Sequence, residues 1–168
     1  MNKKIFILNG KPGSGKDTFA AFLNEFVPTD HYSSVTKVKA VAEMCGWDGE
    51  KNLKSRKFLS DLKYLTSEFN DMAFQDVKKK IDEFLWDDET YEVLLIDFRE
   101  PEEIERCYQE LGAESIYIYR PDVYDQETSN TADKFVYNYY YDYTIINDGT
   151  LDNLRELAKG FYEKFIKE

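Results

Sequence analysis

Residues 9–18 read NGKPGSGKDT, and residues 10–16 within them fit the spacing G-x-x-x-x-G-K. That spacing suits one task, the holding of phosphate groups. Gly10, Gly13 and Gly15 let consecutive backbone N–H groups turn inward, and a following helix adds partial positive charge at its start. Ser14 lies inside the same turn, and the Lys16 ammonium reaches the outer phosphates. A turn that merely joins a strand to a helix explains three glycines, but not glycines and Lys16 between an apolar strand and an amphipathic helix. Asp17 stands where the usual loop has Ser or Thr, whose hydroxyl touches Mg²⁺, and Thr18 follows one place later. Asp17 either complements the helix start, worth ~0.5 kcal/mol, or holds a magnesium-bound water or an arginine.

A second group of reactive types lies at 93–121. Asp97 ends an apolar run, at the strand edge where ligand crevices open in parallel sheets. A carboxylate there orients Mg²⁺ directly or through water. Arg99 is two residues on, and Arg120 ends the next apolar run at the equivalent edge. Both guanidiniums suit phosphate, because they stay charged and bind oxyanions in a fork. The competing reading is ion pairing with Glu100, Glu102 and Glu103 of the following acidic helix.

These residues need a frame. Residues 5–8 (IFIL) and 93–97 (VLLID) are short continuous apolar runs, as in strands buried on both faces. Residues 31–34, 115–120 and 143–147 complete a set of five strands. Phe19, Phe22, Leu23, Phe26 and Val27 recur at helical spacing up to Pro28. Further helices carry Val35, Val38, Ala42 and Cys45; then Phe58, Leu62, Leu65 and Phe69; then Phe74, Val77, Ile81 and Phe84, the last two packed on each other. Pro101 opens a helix with Ile104, Cys107 and Leu111, and Leu151 to Phe165 mark the last. The alternation predicts a single α/β domain over 1–168: a three-layer fold with a parallel sheet of about five strands and helices on both faces. A helical excursion at 35–90 and a polar stretch at 121–134 interrupt it.

The loop with its GKDT ending (residues 15–18), the D-x-R at 97–99, the proline and acidic helix, the strand ending Arg120-Pro121, and YDYTIINDGTLDNL at 141–154 resemble the phage-type deoxynucleoside monophosphate kinases. These belong among the adenylate kinase-like P-loop nucleoside monophosphate kinases. The resemblance is weak over 48–90. It implies a P-loop kinase fold, ATP and Mg²⁺ as cofactors, and transfer of the γ-phosphoryl group to a nucleoside monophosphate. It implies that Gly10 and Gly13 to Thr18 hold the donor phosphates and that Asp97, Asp17 and Thr18 serve the metal. Lys16, Arg99 and Arg120 would act on the transferring group, and Arg56 and Arg99 would hold the acceptor phosphate. The excursion at 35–90 would bind the acceptor, and 121–134 would be a short lid. The loop Asn147-Asp148-Gly149 would pass the adenine; a strand-to-helix turn with Thr150 as N-cap fits it equally. Trp47 and the tyrosines at 136–143 are candidates for base stacking or for packing. The lid carries no Arg, and Lys134 is its only Lys. Related kinases of phosphomevalonate and dephospho-coenzyme A share parts of the pattern, and a nucleotide-binding sensor without turnover suits the Arg-poor lid.

The net charge of −11 disfavours a protein that coats nucleic acid. The apolar run of residues 5–8 is too short for a signal peptide or a membrane span, so the expectation is a cytoplasmic protein that works without membrane or nucleic acid, as monomer or homodimer. Cys45 and Cys107 are far apart and read as buried apolar residues.

Overall fold

Ile5 to Leu8 form the middle of the central strand. Phe6 and Leu8 enter one apolar layer and Ile7 the other, which is why the run has no polar alternation. The computed structural model describes residues 3–87, 90–124, 136 and 138–167. In chain order the elements are β1 (Lys4–Asn9), α1 (Lys16–Leu23), β2 (Thr29–Ser33), α2 (Thr36–Met44), α3 (Leu53–Asn70) and α4 (Met72–Trp86). There follow β3 (Val93–Asp97), α5 (Pro101–Leu111), β4 (Glu114–Tyr119), α6 (Pro121–Tyr124), β5 (Tyr143–Ile146) and α7 (Leu151–Phe161), which runs into a π-helical turn, Tyr162–Ile166.

The five strands pair in the order β2-β3-β1-β4-β5, and every pair is parallel. Strand order reverses about β1, so a crevice opens beyond the carboxyl ends of β1 and its neighbours. Register puts Asp97 opposite Leu8 of β1 and Ser33 of β2, and Tyr117 of β4 opposite Asn9.

On one face, α1 and α7 bring Phe19, Leu23, Leu154, Ala158 and Phe161 against Phe6, Leu8, Leu95 and Ile116. On the other, Phe74, Val77, Ile81 and Phe84 of α4 and Ile104 and Cys107 of α5 cover Ile7, Leu94 and Ile96. Each fully buried Leu, Ile or Phe contributes about 1.5–3 kcal/mol. This is the three-layer sheet expected from the sequence.

Three expectations need correction. Helix α1 stops at Leu23 rather than at Pro28, because the Asn24 side chain accepts a 2.8 Å hydrogen bond from Thr29 N and turns the chain into β2. The apolar stripe of α3 is not buried: Leu65 is 63% and Phe69 87% exposed. Helix α4 gives its own stripe to the sheet, and α3 packs outside it on α4 and α2. Asp71, at a left-handed φ of 57°, makes the turn between the two helices, with its carboxylate 2.7 Å from Arg106. Cys45 is exposed; only Cys107 is buried, and burial pushes its thiol up to about 12. No helix among the described residues is long and apolar enough to cross a membrane.

Candidate active site

The loop between β1 and α1 is held at both ends and along its back. Asn9, fully buried at the end of β1, accepts from Gly10 N at 2.8 Å. Its amide donates to Tyr141 OH at 2.8 Å and to Arg99 O at 3.3 Å. Gly10 sits at φ +152°, where a Cβ would lie 2.6 Å from Ile118 O. Ser14 N donates to Lys11 O at 3.1 Å, and Phe19 N donates to Gly15 O at 2.8 Å, which starts α1. The Lys16 ammonium folds back over the loop and donates to Gly10 O at 2.7 Å and Lys11 O at 3.1 Å. From the far side of the sheet, Asn147 Nδ2 donates to Ser14 O at 2.8 Å.

One atom inside the loop is left over. Ser14 is 1% exposed, and its hydroxyl has no hydrogen-bond partner among the described residues. Its Oγ lies against Gly10, 2.6 Å from where a Cβ would be. Leaving a hydroxyl buried and unpaired costs ~1–3 kcal/mol. Together with a bent glycine backbone and a lysine at its rim, it marks a cradle for a polar ligand.

Beside the loop three further groups converge. Asp97 at the end of β3 lies 3.1 Å, Oδ1 to Nε2, from His31 of β2. Asp17 of α1 completes the group, with the ligand-capable atoms of all three within 4.8 Å of one another. The hydrogen bond with Asp97 raises the imidazole pKa above its ordinary value; burial opposes this, and the charges of Asp97, Asp17 and Asp30 add to it. Asp17 and Asp97 supply the carboxylate oxygens that Mg²⁺ accepts. His31 was not among the residues expected at the site. The available signal was slight: it is the single histidine, two residues before the end of a strand. Thr18 is half-buried in the first turn of α1.

The two arginines follow the strands on either side of β1. Arg99 is half-buried and follows β3, tied to β1 through its carbonyl. Arg120 follows β4, with its guanidinium 3.5 Å from Asp122. Helix α6 lies on the loop: Val123 would be 3.7 Å from a Cβ on Gly13, and Lys11 stacks over the Tyr124 ring at 5.2 Å and donates to Tyr124 O. Residues 125–134 of the expected lid, Lys134 included, lie outside the described residues.

Glu100 and Glu103 take a partner that spacing did not suggest. Lys63, in the middle of α3, lies 2.9 Å from Glu100 and 2.8 Å from Glu103. Burial, together with the neighbouring Glu100, lifts the Glu103 carboxyl to about 8. Burial alone would also raise Glu100, but the hydrogen bond from Glu103 and the Lys63 charge outweigh it and hold it at about 2. Beside the Lys63 ammonium, Glu103 thus holds its proton more tightly than Glu100 does. The three groups fasten the helical excursion to the turn just after Arg99. Arg56 lies at the exposed start of α3, where its Nε donates to Lys51 O at 3.2 Å. With Lys51, Asn52, Leu53 and Lys54 it borders an open surface depression.

In the loop after β5, Asn147 is buried and spends its amide on the loop between β1 and α1, while Asp148 is exposed. Thr150 caps α7: Asn153 N donates to its hydroxyl at 3.3 Å, and Thr150 N donates to Asn153 Oδ1 at 2.9 Å. Of the tyrosines, Tyr141 stacks on Tyr117 at 4.9 Å and Tyr143 meets Phe161 edge-on at 5.2 Å. Both rings are used for packing. Trp47 Nε1 donates to Glu50 O at 3.0 Å within its own loop.

No protein-family model and no curated protein matches the chain. Solved structures do. A Thermus thermophilus protein superposes with a TM-score of 0.58 at 16% identity, over 98% of this chain and 99% of its own. A sugar kinase from a Janibacter species gives 0.56 at 10% identity, over 96% and 95%. The shikimate kinase of Aquifex aeolicus gives 0.50 at 12% identity, over 95% and 98%. At such identities the likeness establishes architecture: this chain has the three-layer fold of the small P-loop kinases.

Proposed function

We propose that the protein is an ATP-dependent phosphotransferase that moves the γ-phosphoryl group to a small phosphorylated acceptor, a nucleoside monophosphate and foremost a deoxynucleotide. The observation that carries this reading is the loop: glycine backbone at positive φ, a Ser14 hydroxyl without a partner among the described residues and the Lys16 ammonium border a cradle for a polyphosphate.

Each side chain then has a task. Residues 10–18 bind the β- and γ-phosphates, and Lys16 leaves its carbonyl partners to follow the charge as it migrates. Asp17, Asp97 and Thr18 are the residues that would hold Mg²⁺, which supplies charge neutralisation on the phosphates. Arg99 and Arg120, on neighbouring sides of β1, bridge donor and acceptor. Arg56, with Lys51 and Lys54 beside it, draws the acceptor phosphate to α3. An acceptor phosphate oxygen is already anionic near neutral pH, so no side chain has to remove its proton, and rate comes from positioning and fixed positive charge. Asn147-Asp148-Gly149 borders the nucleotide while Asn147 steadies the loop.

The test is ADP release with Mg·ATP and a panel of ribo- and deoxynucleoside monophosphates, phosphomevalonate and dephospho-coenzyme A. Turnover of one nucleotide, lost in Lys16→Ala, is the expected result. Turnover of another acceptor alone reassigns the substrate. Tight ATP binding without turnover on any acceptor makes the protein a sensor.

A further inference from the structure

Magnesium takes oxygen donors and keeps several waters, whereas imidazole suits borderline metals such as Zn²⁺, Co²⁺ and Mn²⁺. The group beside the loop is mixed: two carboxylates and one imidazole, contributed by α1, β2 and β3. Among the described residues no Lys or Arg is ion-paired with Asp17 or Asp97, and the nearby Asp30 is already held by Lys80 at 2.7 Å. Two carboxylates therefore face a single imidazole. The geometry also suits a shared ion. Donors on adjacent positions of a cation with ~2.1 Å bonds lie ~3 Å apart, and His31 Nε2 and Asp97 Oδ1 are 3.1 Å apart. Asp17 is exposed, so its carboxylate is free to close the remaining distance. The strands fix the other two: His31 pairs with Leu95, two residues from Asp97 on the adjoining strand.

We propose that Asp17, His31 and Asp97 form a mixed nitrogen–oxygen site for a borderline divalent cation of the Mn²⁺, Co²⁺ or Zn²⁺ class, filled before any nucleotide arrives. The proposal deepens the kinase reading and rests on it for what the cation does: with His31 in the donor set, this cation takes the place at the mouth of the cradle that the carboxylates alone would give to Mg²⁺. Binding itself depends only on the three side chains.

The chain contains a single histidine, so its imidazole resonances report this site alone. The untagged full-length protein, stripped with a chelator and kept free of nucleotide, is titrated with Zn²⁺ and with Mg²⁺ while the ring signals are followed by NMR. One equivalent of Zn²⁺ should shift them to saturation, and millimolar Mg²⁺ should not. Co²⁺ should give visible d–d bands with one-to-one stoichiometry, and His31→Gln should weaken its binding at least tenfold. Ring signals indifferent to Zn²⁺, or Co²⁺ binding unchanged in a folded His31→Gln, overturn the proposal. ATP binding by wild type and Lys16→Ala is measured on the same preparations. A metal site without ATP binding sinks the kinase reading alone, and ATP binding with an indifferent imidazole sinks the metal site alone.

Discussion

Replacing Glu103 by Gln tests whether the Lys63 cluster carries a proton at neutral pH. Burial and Glu100 raise the Glu103 carboxyl from 4.5 to about 8 in the folded protein. A carboxyl raised on folding stabilises fully below its unfolded pKa, and the contribution is lost as pH climbs to the folded value. Between pH ~6 and ~8 the unfolded chain has released this proton and the folded chain is still releasing it. At 1.36 kcal/mol per unit, that is at most ~2 kcal/mol. The side chains of Glu103 and Glu100 are 23% and 34% exposed, and this access to solvent reduces the figure to ~1–2 kcal/mol. For a domain of this size each kcal/mol moves Tm by about 2–4 °C. Glu103→Gln imitates the protonated carboxyl, so its Tm at pH 6 should stay near that of wild type. Its decline from pH 6 to 8 should be smaller by ~2–8 °C, read by thermal unfolding across the pH series. His31, whose pKa is raised by its hydrogen bond with Asp97, is present in both proteins, so its contribution cancels in the comparison. Lys63→Met, which leaves Glu100 partly buried without its cation, should lose ~2–4 kcal/mol at pH 7. If wild type and Glu103→Gln decline in parallel from pH 6 to 8, Glu103 is ionised throughout and does not hold the proton.

Two other substitutions probe the loop. Gly10→Ala places a Cβ 2.6 Å from a backbone oxygen at φ +152° and should cost roughly 1–3 kcal/mol in urea unfolding, with ATP affinity falling more steeply than stability. Asn147→Ala removes the 2.8 Å bond to Ser14 O. It should cost ~1–2 kcal/mol and raise KM for ATP with little change in kcat, because the loop loses its brace and not its ammonium.

Strand β1, the loop and α1 were legible because they are contiguous: periodicity and glycine spacing act within a window of twenty residues. The parallel sheet followed from the alternation of elements, and the carboxyl-edge positions of Asp97, Arg99 and Arg120 from their places at the ends of apolar runs; the order β2-β3-β1-β4-β5 depends on pairings distant in the chain. What escaped depends on pairs distant in the chain. His31 meets Asp97 across 66 residues and Lys63 meets Glu103 across 40, and no local pattern encodes either. A lone histidine on a short strand carries no signal until its neighbouring strand is known. Helix α3 misled for the opposite reason. Its stripe at 58, 62, 65 and 69 has the spacing of a core helix, but α4 stands between it and the sheet. Asn147 was recognised for its place after β5, yet its side chain turned inward to brace the loop.

The two polar groups inside the cradle should respond to ligand in opposite ways. The Lys16 ammonium already has two carbonyl partners, so a polyphosphate gains only the surplus of charged over neutral acceptors, bonds roughly twice as strong. The Ser14 hydroxyl has none among the described residues to give up, so any bond it makes to a phosphate oxygen is gained in full. Ser14→Ala therefore separates fold from function. Without ligand it removes a buried unsatisfied group and should leave stability unchanged or raise it by up to ~1 kcal/mol. In calorimetry it should weaken binding of ATP by roughly fivefold, about 1 kcal/mol. A variant that is both less stable and equally good at binding ATP would mean that the hydroxyl serves the fold, and the cradle would then owe its ligand to backbone and Lys16 alone.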